Sequence, residues 1–168
     1  MVQSTVMAAE GLGKVFRQGE ERIAALDGVS LGVERGTFTA VMGASGSGKT
    51  TLLNLLAGLL KPDAGRILLD GEDFSGLKDS ERARLRRRRI GFVFQDYNLL
   101  PNLTLAENVR LPRWLDEAPE GAEAWSAEIL EFLGLGGRLK HLPSQLSGGE
   151  RQRAASCSAL RARSIPQR

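Results

Sequence analysis

The sequence predicts an α/β fold, and three observations carry that prediction. Short apolar runs bounded by turn residues fill the first third of the chain. A glycine-rich loop joins one of these runs directly to a helical pattern. From Leu103 to Leu133 the pattern is helical again. Strands first and a helix-rich stretch afterwards describe an α/β core with a helical insertion.

The elements follow in order. "RIAAL", "VSLGV" and "TFTAVMG" read as three short strands. A helix runs from Lys49 to about Leu59 and stops near "KPDAG". "RILLDGEDF" is a strand and a turn, and "KDSERARLRR" is a short helix opening at Asp79 or Ser80. "IGFVFQ", Ile90–Gln95, reads as a buried strand. The helical stretch after Leu103 is interrupted by Pro112 and Pro119, because proline removes a helix donor. Ser147 is expected to cap a last helix, with Glu150 three residues on, the spacing of a capping box.

Composition narrows the class. The 168 residues suffice for one compact domain with a core, at 42% hydrophobic and 26% charged. A single cysteine, Cys157, rules out an intrachain disulfide. The N-terminus shows no basic segment followed by an apolar one, and Thr51–Leu60 is too short to span a bilayer. A soluble cytoplasmic chain is expected, serving any membrane from one side through a docked partner. The net charge of +3 comes largely from "RARLRRRR", Arg82–Arg89. No aromatic residues interleave that block, so a helix face is expected there and nucleic acid is not an expected partner.

The most informative stretch is "GASGSGKT", Gly43–Thr50, which matches G-x-x-x-x-G-K-[ST] at every fixed position. It follows the apolar "FTAVM" and opens a helix. Gly43, Gly46 and Gly48 let several backbone N–H groups approach a polyphosphate, and the helix dipole faces the anion. Lys49 would reach the β- and γ-phosphates, and the Thr50 hydroxyl would ligate Mg²⁺. Ser45, Ser47 and Thr51 complete the expected nucleotide-contacting set. The alternative is a glycine-rich turn with no ligand.

The second motif is "LSGGERQR", which begins at Leu146. With both motifs in one chain, the sequence resembles the ATP-binding subunit of ABC transporters, of the lipoprotein-release and macrolide-export type. The likeness runs from about Thr5 to Arg153 through "ALDGVSLGVERGTFTAVMGASGSGKTTLLNLLAGL", "GRILLDGEDFSGL" and "RRRRIGFVFQDYNLLPNLTLAENVRLP". It implies a P-loop NTPase core of ABC type, an N-terminal antiparallel β subdomain and a helical insertion. Residues 1–168 would form a single partial nucleotide-binding domain, with a helical subdomain at about 104–150 that ends in the second motif.

The resemblance also implies roles. Phe16 would stack on adenine, against the alternative of an ordinary core or strand-end phenylalanine. Gln95 would meet Mg²⁺ and the attacking water and link the site to the membrane domain. Ser147, Gly148 and Gly149 would face the γ-phosphate of ATP held by a second subunit. ATP and Mg²⁺ are the implied cofactors. Transmembrane permease subunits and a second nucleotide-binding subunit are the implied partners.

The pattern breaks after Arg153. Hydrolysis needs a group that orients water and a further Mg²⁺ anchor. The family places these on an apolar strand ending in Asp-Glu, and a histidine beyond it contacts the γ-phosphate. Here the last acidic residue is Glu150, and the only histidine, His141, precedes the motif. Ser156, Cys157 and Ser158 interrupt the apolar face expected of the last helix, whose end lacks a clear cap. The sequence is therefore expected to lack the C-terminal core strands, through an interrupted frame or a diverged gene end, and to be deficient in hydrolysis. Three other readings stay open: a non-catalytic module that lends its signature to a complete partner, a non-functional truncated fragment, and a DNA-repair type ATPase. The last is disfavoured because no heptads lie between Thr50 and Leu146.

Overall fold

A computed structural model describes residues 5–114 and 122–159 of the chain, as two compact units, 1–86 and 87–168. The first unit holds a sheet of order β2-β1-β3-β4, antiparallel throughout. β1 (Thr5–Gln18) and β2 (Glu21–Glu34) form one long hairpin. "RIAAL" and "VSLGV" are thus a single strand, continuous through Gly28. β1 escapes the sequence pattern because its pairing is irregular. Register shifts fall between Ala9 and Leu12, Leu12 and Lys14, and Lys14 and Val15, and these destroy the period of two. β3 (Ala64–Leu69) turns through Asp70 and Gly71, both with positive φ, into the short β4 (Glu72–Asp73), as a "DG" hairpin signal requires.

α1 (Lys49–Leu56) ends three residues earlier than the sequence pattern indicates. Gly58, at φ 67°, stops it. The Gly58 N–H donates to Leu55 O at 2.9 Å and the Leu59 N–H to Asn54 O at 2.9 Å, which is a Schellman end. A Cβ on Gly58 would overlap the fully buried Phe74 ring. α2 (Asp79–Arg89) is the arginine helix, and its inner side explains part of the basic block. Arg82 Nε and Arg86 Nη1 donate to the Gly58 carbonyl at 3.3 and 3.0 Å, beside the negative end of α1. Arg82 is itself buried and bonds Asp79 Oδ1 at 2.5 Å.

The second unit is helical: α3 (Leu105–Trp114), α4 (Ala122–Phe132) and α5 (Gly148–Ala159), with 3₁₀ turns at Gly136–Arg138 and Pro143–Gln145. Leu105, Val109, Trp125, Ile129, Leu130, Leu135 and Leu146 form its core with Ala154 and Cys157. Pro112 does not break the pattern, since α3 runs on to Trp114; near a helix end only one ladder bond is lost. Pro119 lies outside the described residues. The polar run of α5 is accommodated: Cys157 is buried, and the Ser156 hydroxyl donates to Gln152 O at 3.1 Å.

Two expected strands are absent. Thr37–Gly43 and Ile90–Gln95 lie outside any ladder among the described residues. Phe38 is 95% exposed and Met42 88%, and Val93 and Phe94 are also exposed, so the second segment is not buried. Apolar composition suits a segment to a strand, but a strand exists only where a neighbour completes its hydrogen bonds. Within 90–95 the Phe92 and Phe94 rings meet edge to face at 4.7 Å, a partial local substitute.

Burial separates residues that look equivalent in sequence. Phe74→Ala is expected to cost about 3–5 kcal/mol in urea unfolding, as a buried phenylalanine does. Phe38→Ser is expected to stay within about 0.5 kcal/mol of the parent. Equal losses would show that Phe38 is buried in solution.

Candidate functional site

The cradle sits where the sequence places it. Gly43–Ser47 are exposed, and α1 starts at Lys49. Gly48 is its N-cap, in the left-handed region at φ 84°. A side chain there would be strained, and its Cβ would collide with the Ala25 carbonyl and crowd Leu26. Glycine therefore lets the loop lie directly against β2. The Lys49 ammonium folds back into the loop and donates to Ala44 O at 2.5 Å and Ser47 Oγ at 3.2 Å. Two protein oxygens thus occupy the ammonium in the place where phosphate oxygens would serve.

The helix starts differ in a telling way. α3 opens on a capping box: Thr104 N–H and Oγ1 both donate to Glu107 Oε2, at 2.7 and 2.6 Å. α5 opens on another: Ser147 N–H and Oγ donate to Glu150 Oε2 at 2.8 and 2.7 Å, and Glu150 N–H returns to Ser147 Oγ at 3.3 Å. Each carries its own anion. α1 has no side-chain cap and no acidic residue in its first turn. Its positive end is left to an external anion, which fits a phosphate group. Thr50 is exposed and Thr51 half-buried in that first turn, and Ser45 and Gly46 stand in the exposed loop.

Phe16 is not a core residue. It is 40% exposed and pairs across the hairpin with Ile23, itself exposed. The Lys14 ammonium lies 5.8 Å from its ring centroid. The same hairpin carries Ala25 and Leu26, which back Gly48, so Phe16 and the cradle belong to one unit. Gln95, Ser147, Gly148 and Gly149 belong to the other. Gln95 is exposed at a turn, followed by Tyr97 and Asn98 with φ of 63° and 50°. Ser147, Gly148 and Gly149 are exposed at the start of α5. No cluster of three or more metal-ligating His, Cys, Asp or Glu side chains occurs among the described residues. None of the described helices is long and apolar enough to cross a membrane.

Comparison with known proteins decides the family. The model of the family described as "ABC transporter" matches residues 26–164. The chain belongs to the ABC transporter family. It is 49% identical to the lipoprotein-releasing system ATP-binding protein LolD of Alcanivorax borkumensis, over 92% of this chain and 68% of the relative. It is 47% identical to the macrolide export ATP-binding/permease protein MacB of Brucella melitensis, over 95% of this chain and 25% of that longer protein. A solved dimeric ATP-binding cassette, in a post-hydrolysis state bound to ADP and Pi, superposes with a TM-score of 0.86 at 40% identity, over 92% of this chain and 68% of that one. The chain thus spans about two thirds of the length of the cassette relatives it matches.

Some residues that shape this ABC cassette were not singled out by sequence. Thr104 and Glu107 carry a readable T-x-x-E signal. Asn108 is buried, accepts the Leu100 N–H at 2.7 Å and donates to Leu100 O, Leu103 O and Thr104 O. Asp63, which bonds Val15 N–H at 2.8 Å and Lys14 at 3.0 Å, has no local signal at all. His141, noted in the sequence only for preceding the second motif, offers its carbonyl to the Leu105 N–H at 2.8 Å and so helps to seat α3.

The α5 cap has a measurable signature. The Ser147 N–H, then its hydroxyl, then Arg138 lower the Glu150 pKa from 4.5 to about 2. The depressed carboxyl stabilises the helix start fully above pH 4.5, and that contribution is lost as pH falls through about 2. Carboxyl-carbon NMR titration is expected to give a Glu150 midpoint near 2, and Ser147→Ala, which keeps the N–H, should raise it only partway. An ordinary midpoint in the parent protein would mean that the cap is open in solution.

Proposed function

We propose that this chain is the ATP-binding subunit of an ABC transporter that energises lipoprotein release or macrolide-type export. The observation that carries the proposal is the uncapped N-terminus of α1 behind an exposed glycine loop, with the Lys49 ammonium folded into it. The triphosphate enters that loop. Lys49 exchanges Ala44 O and Ser47 Oγ for β- and γ-phosphate oxygens. Backbone N–H groups from Gly43 to Gly48 and the Ser45, Ser47 and Thr51 side chains surround the phosphates, and Phe16 stacks on adenine. The Thr50 hydroxyl would hold Mg²⁺, with Gln95 as the further ligand that the resemblance implies, and the ion would offset the phosphate charge.

Ser147, Gly148 and Gly149 face the γ-phosphate of a nucleotide on a second subunit. In that encounter the Ser147 hydroxyl leaves Glu150 Oε2 for the phosphate, while Arg138, 3.1 Å from Glu150 Oε1, retains the carboxylate. The whole stretch acts as one nucleotide-binding domain, its helical part at about 104–150, on the cytoplasmic face of the membrane beneath permease subunits. The names of the relatives, a lipoprotein-release cassette and a fused export permease, support these partners, as does the dimeric state of the solved cassette.

These 168 residues hold no Asp-Glu pair after Arg153, so binding without turnover is proposed for them. Titration with a fluorescent ATP analogue in Mg²⁺ is expected to show binding that Lys49→Ala abolishes; equal affinity in both proteins overturns the cradle assignment. Steady-state phosphate release should not exceed that of Lys49→Ala. Several turnovers per minute that follow the chain through purification would show that the water-orienting group lies among these residues after all.

A further inference from the structure

Residues 61–63 connect the helix of the phosphate cradle to β3, and they also grip β1 just before Phe16. Four hydrogen bonds make the grip. The Asp63 N–H donates to Gly13 O at 2.9 Å. Asp63 Oδ2 accepts the Val15 N–H at 2.8 Å, and Asp63 Oδ1 accepts from Lys14 Nζ at 3.0 Å. Lys14 Nζ donates a further bond to Lys61 O at 2.8 Å. The grip falls beside the irregular part of β1, just before Val15–Gln18 resume a continuous ladder with β2. Register shifts against β2 flank Leu12 and Lys14, and the ladder with β3 skips from Glu10 to Gly13. The Val15 N–H and the Lys14 ammonium together hold the Asp63 carboxyl below the usual carboxylate range.

Two consequences bear on Phe16. First, the irregular pairing bends and twists β1 just ahead of Phe16. The Asp63 carboxylate, on the segment leaving α1, adds a second hold there beside the β2 ladder, so residues 61–63 help to set the spacing between ring and cradle. Second, Lys14 shares a strand face with Phe16, and its ammonium stands 5.8 Å from the ring centroid. A lysine freed of Asp63 and Lys61 O would settle onto an exposed ring by cation–π attraction and compete with a base for that surface.

We propose that Asp63, through Lys14 and the Val15 N–H, is a positioning residue that holds the Phe16 ring at the distance from the cradle that a nucleoside triphosphate spans. The proposal rests on the nucleotide-binding function above and deepens it, because Asp63 touches no part of the ligand. A nucleotide that engages ring and cradle together gains from their fixed separation, as two linked contacts do, whereas a ligand made of phosphates alone gains nothing from it.

The test compares Mg²⁺-ATP with Mg²⁺-tripolyphosphate on the full chain by calorimetric titration. The parent protein is expected to prefer ATP by about tenfold or more, the order of one base stack. Asp63→Ala should lose most of that preference with tripolyphosphate affinity unchanged, which also shows that the cradle remains folded. Asp63→Asn, which keeps an acceptor for Val15 but drops the charge beside Lys14, should fall between. Phe16→Ala should lose the preference too, and Phe16→Ala combined with Asp63→Ala should be no weaker than Phe16→Ala alone. Equal loss for both ligands in Asp63→Ala would assign Asp63 a purely structural role and overturn the proposal, as would additive losses in the double variant or an unchanged preference. A parent protein that binds both ligands equally would remove Phe16 from the site and this inference with it, leaving the cradle. A parent that binds neither would remove the nucleotide site itself.

Discussion

The first unit depends on how α1 is held. Its C-terminal end is closed by Gly58, whose left-handed backbone completes the Schellman bonds, whose Cα lies under Phe74, and whose carbonyl takes both Arg82 and Arg86. The Leu53, Asn54, Leu55 and Gly58 carbonyls at that end all find donors within the protein. At the other end no side chain among the described residues caps the helix. The helix is therefore anchored by its tail, with its positive end presented outward at the loop. A residue other than glycine at position 58 would displace Phe74 and the anchoring arginines together, and the cradle would lose its fixed base.

What could be read in the sequence was what is local. The cradle is contiguous, and its loop and helix-start placement follows from residue types at fixed spacing, so the exposed loop and the start of α1 at Lys49 lie where the sequence puts them, although the segment before the loop joins no ladder among the described residues. The Ser147–Glu150 cap spans four residues and was equally legible. The arginine block was read as a helix face, and Arg82 and Arg86 account for part of it. Strands are different, since each is defined by a partner far along the chain. "TFTAVMG" and "IGFVFQ" have strand composition but no ladder among the described residues, while β1, broken by Gly11 and Gly13, has a ladder and little pattern. Asp63 shows the same limit within the site, because its partner Val15 is 48 residues away.

The three helix starts also explain how one chain can carry two glycine-rich motifs with different behaviour. The start of α5 is already neutralised by Glu150, which Arg138 holds in turn, so its serine is satisfied without a ligand. The start of α1 is not. An anion arriving at the first meets a filled cap that must be opened, and one arriving at the second meets an open dipole. Of the two starts, that of α1 is the more open to an added anion.

The single cysteine gives the helical unit a private chemical clock. Cys157 is wholly buried in its core, and burial raises the thiol pKa to about 11. At neutral pH only about one thiol in ten thousand is ionised, and the thiolate is the species that reacts. An alkylating reagent therefore reaches Cys157 only when the core of the helical unit opens. Because the sequence contains no other thiol, the rate of that modification reports the openings, local or global, that uncover this one core.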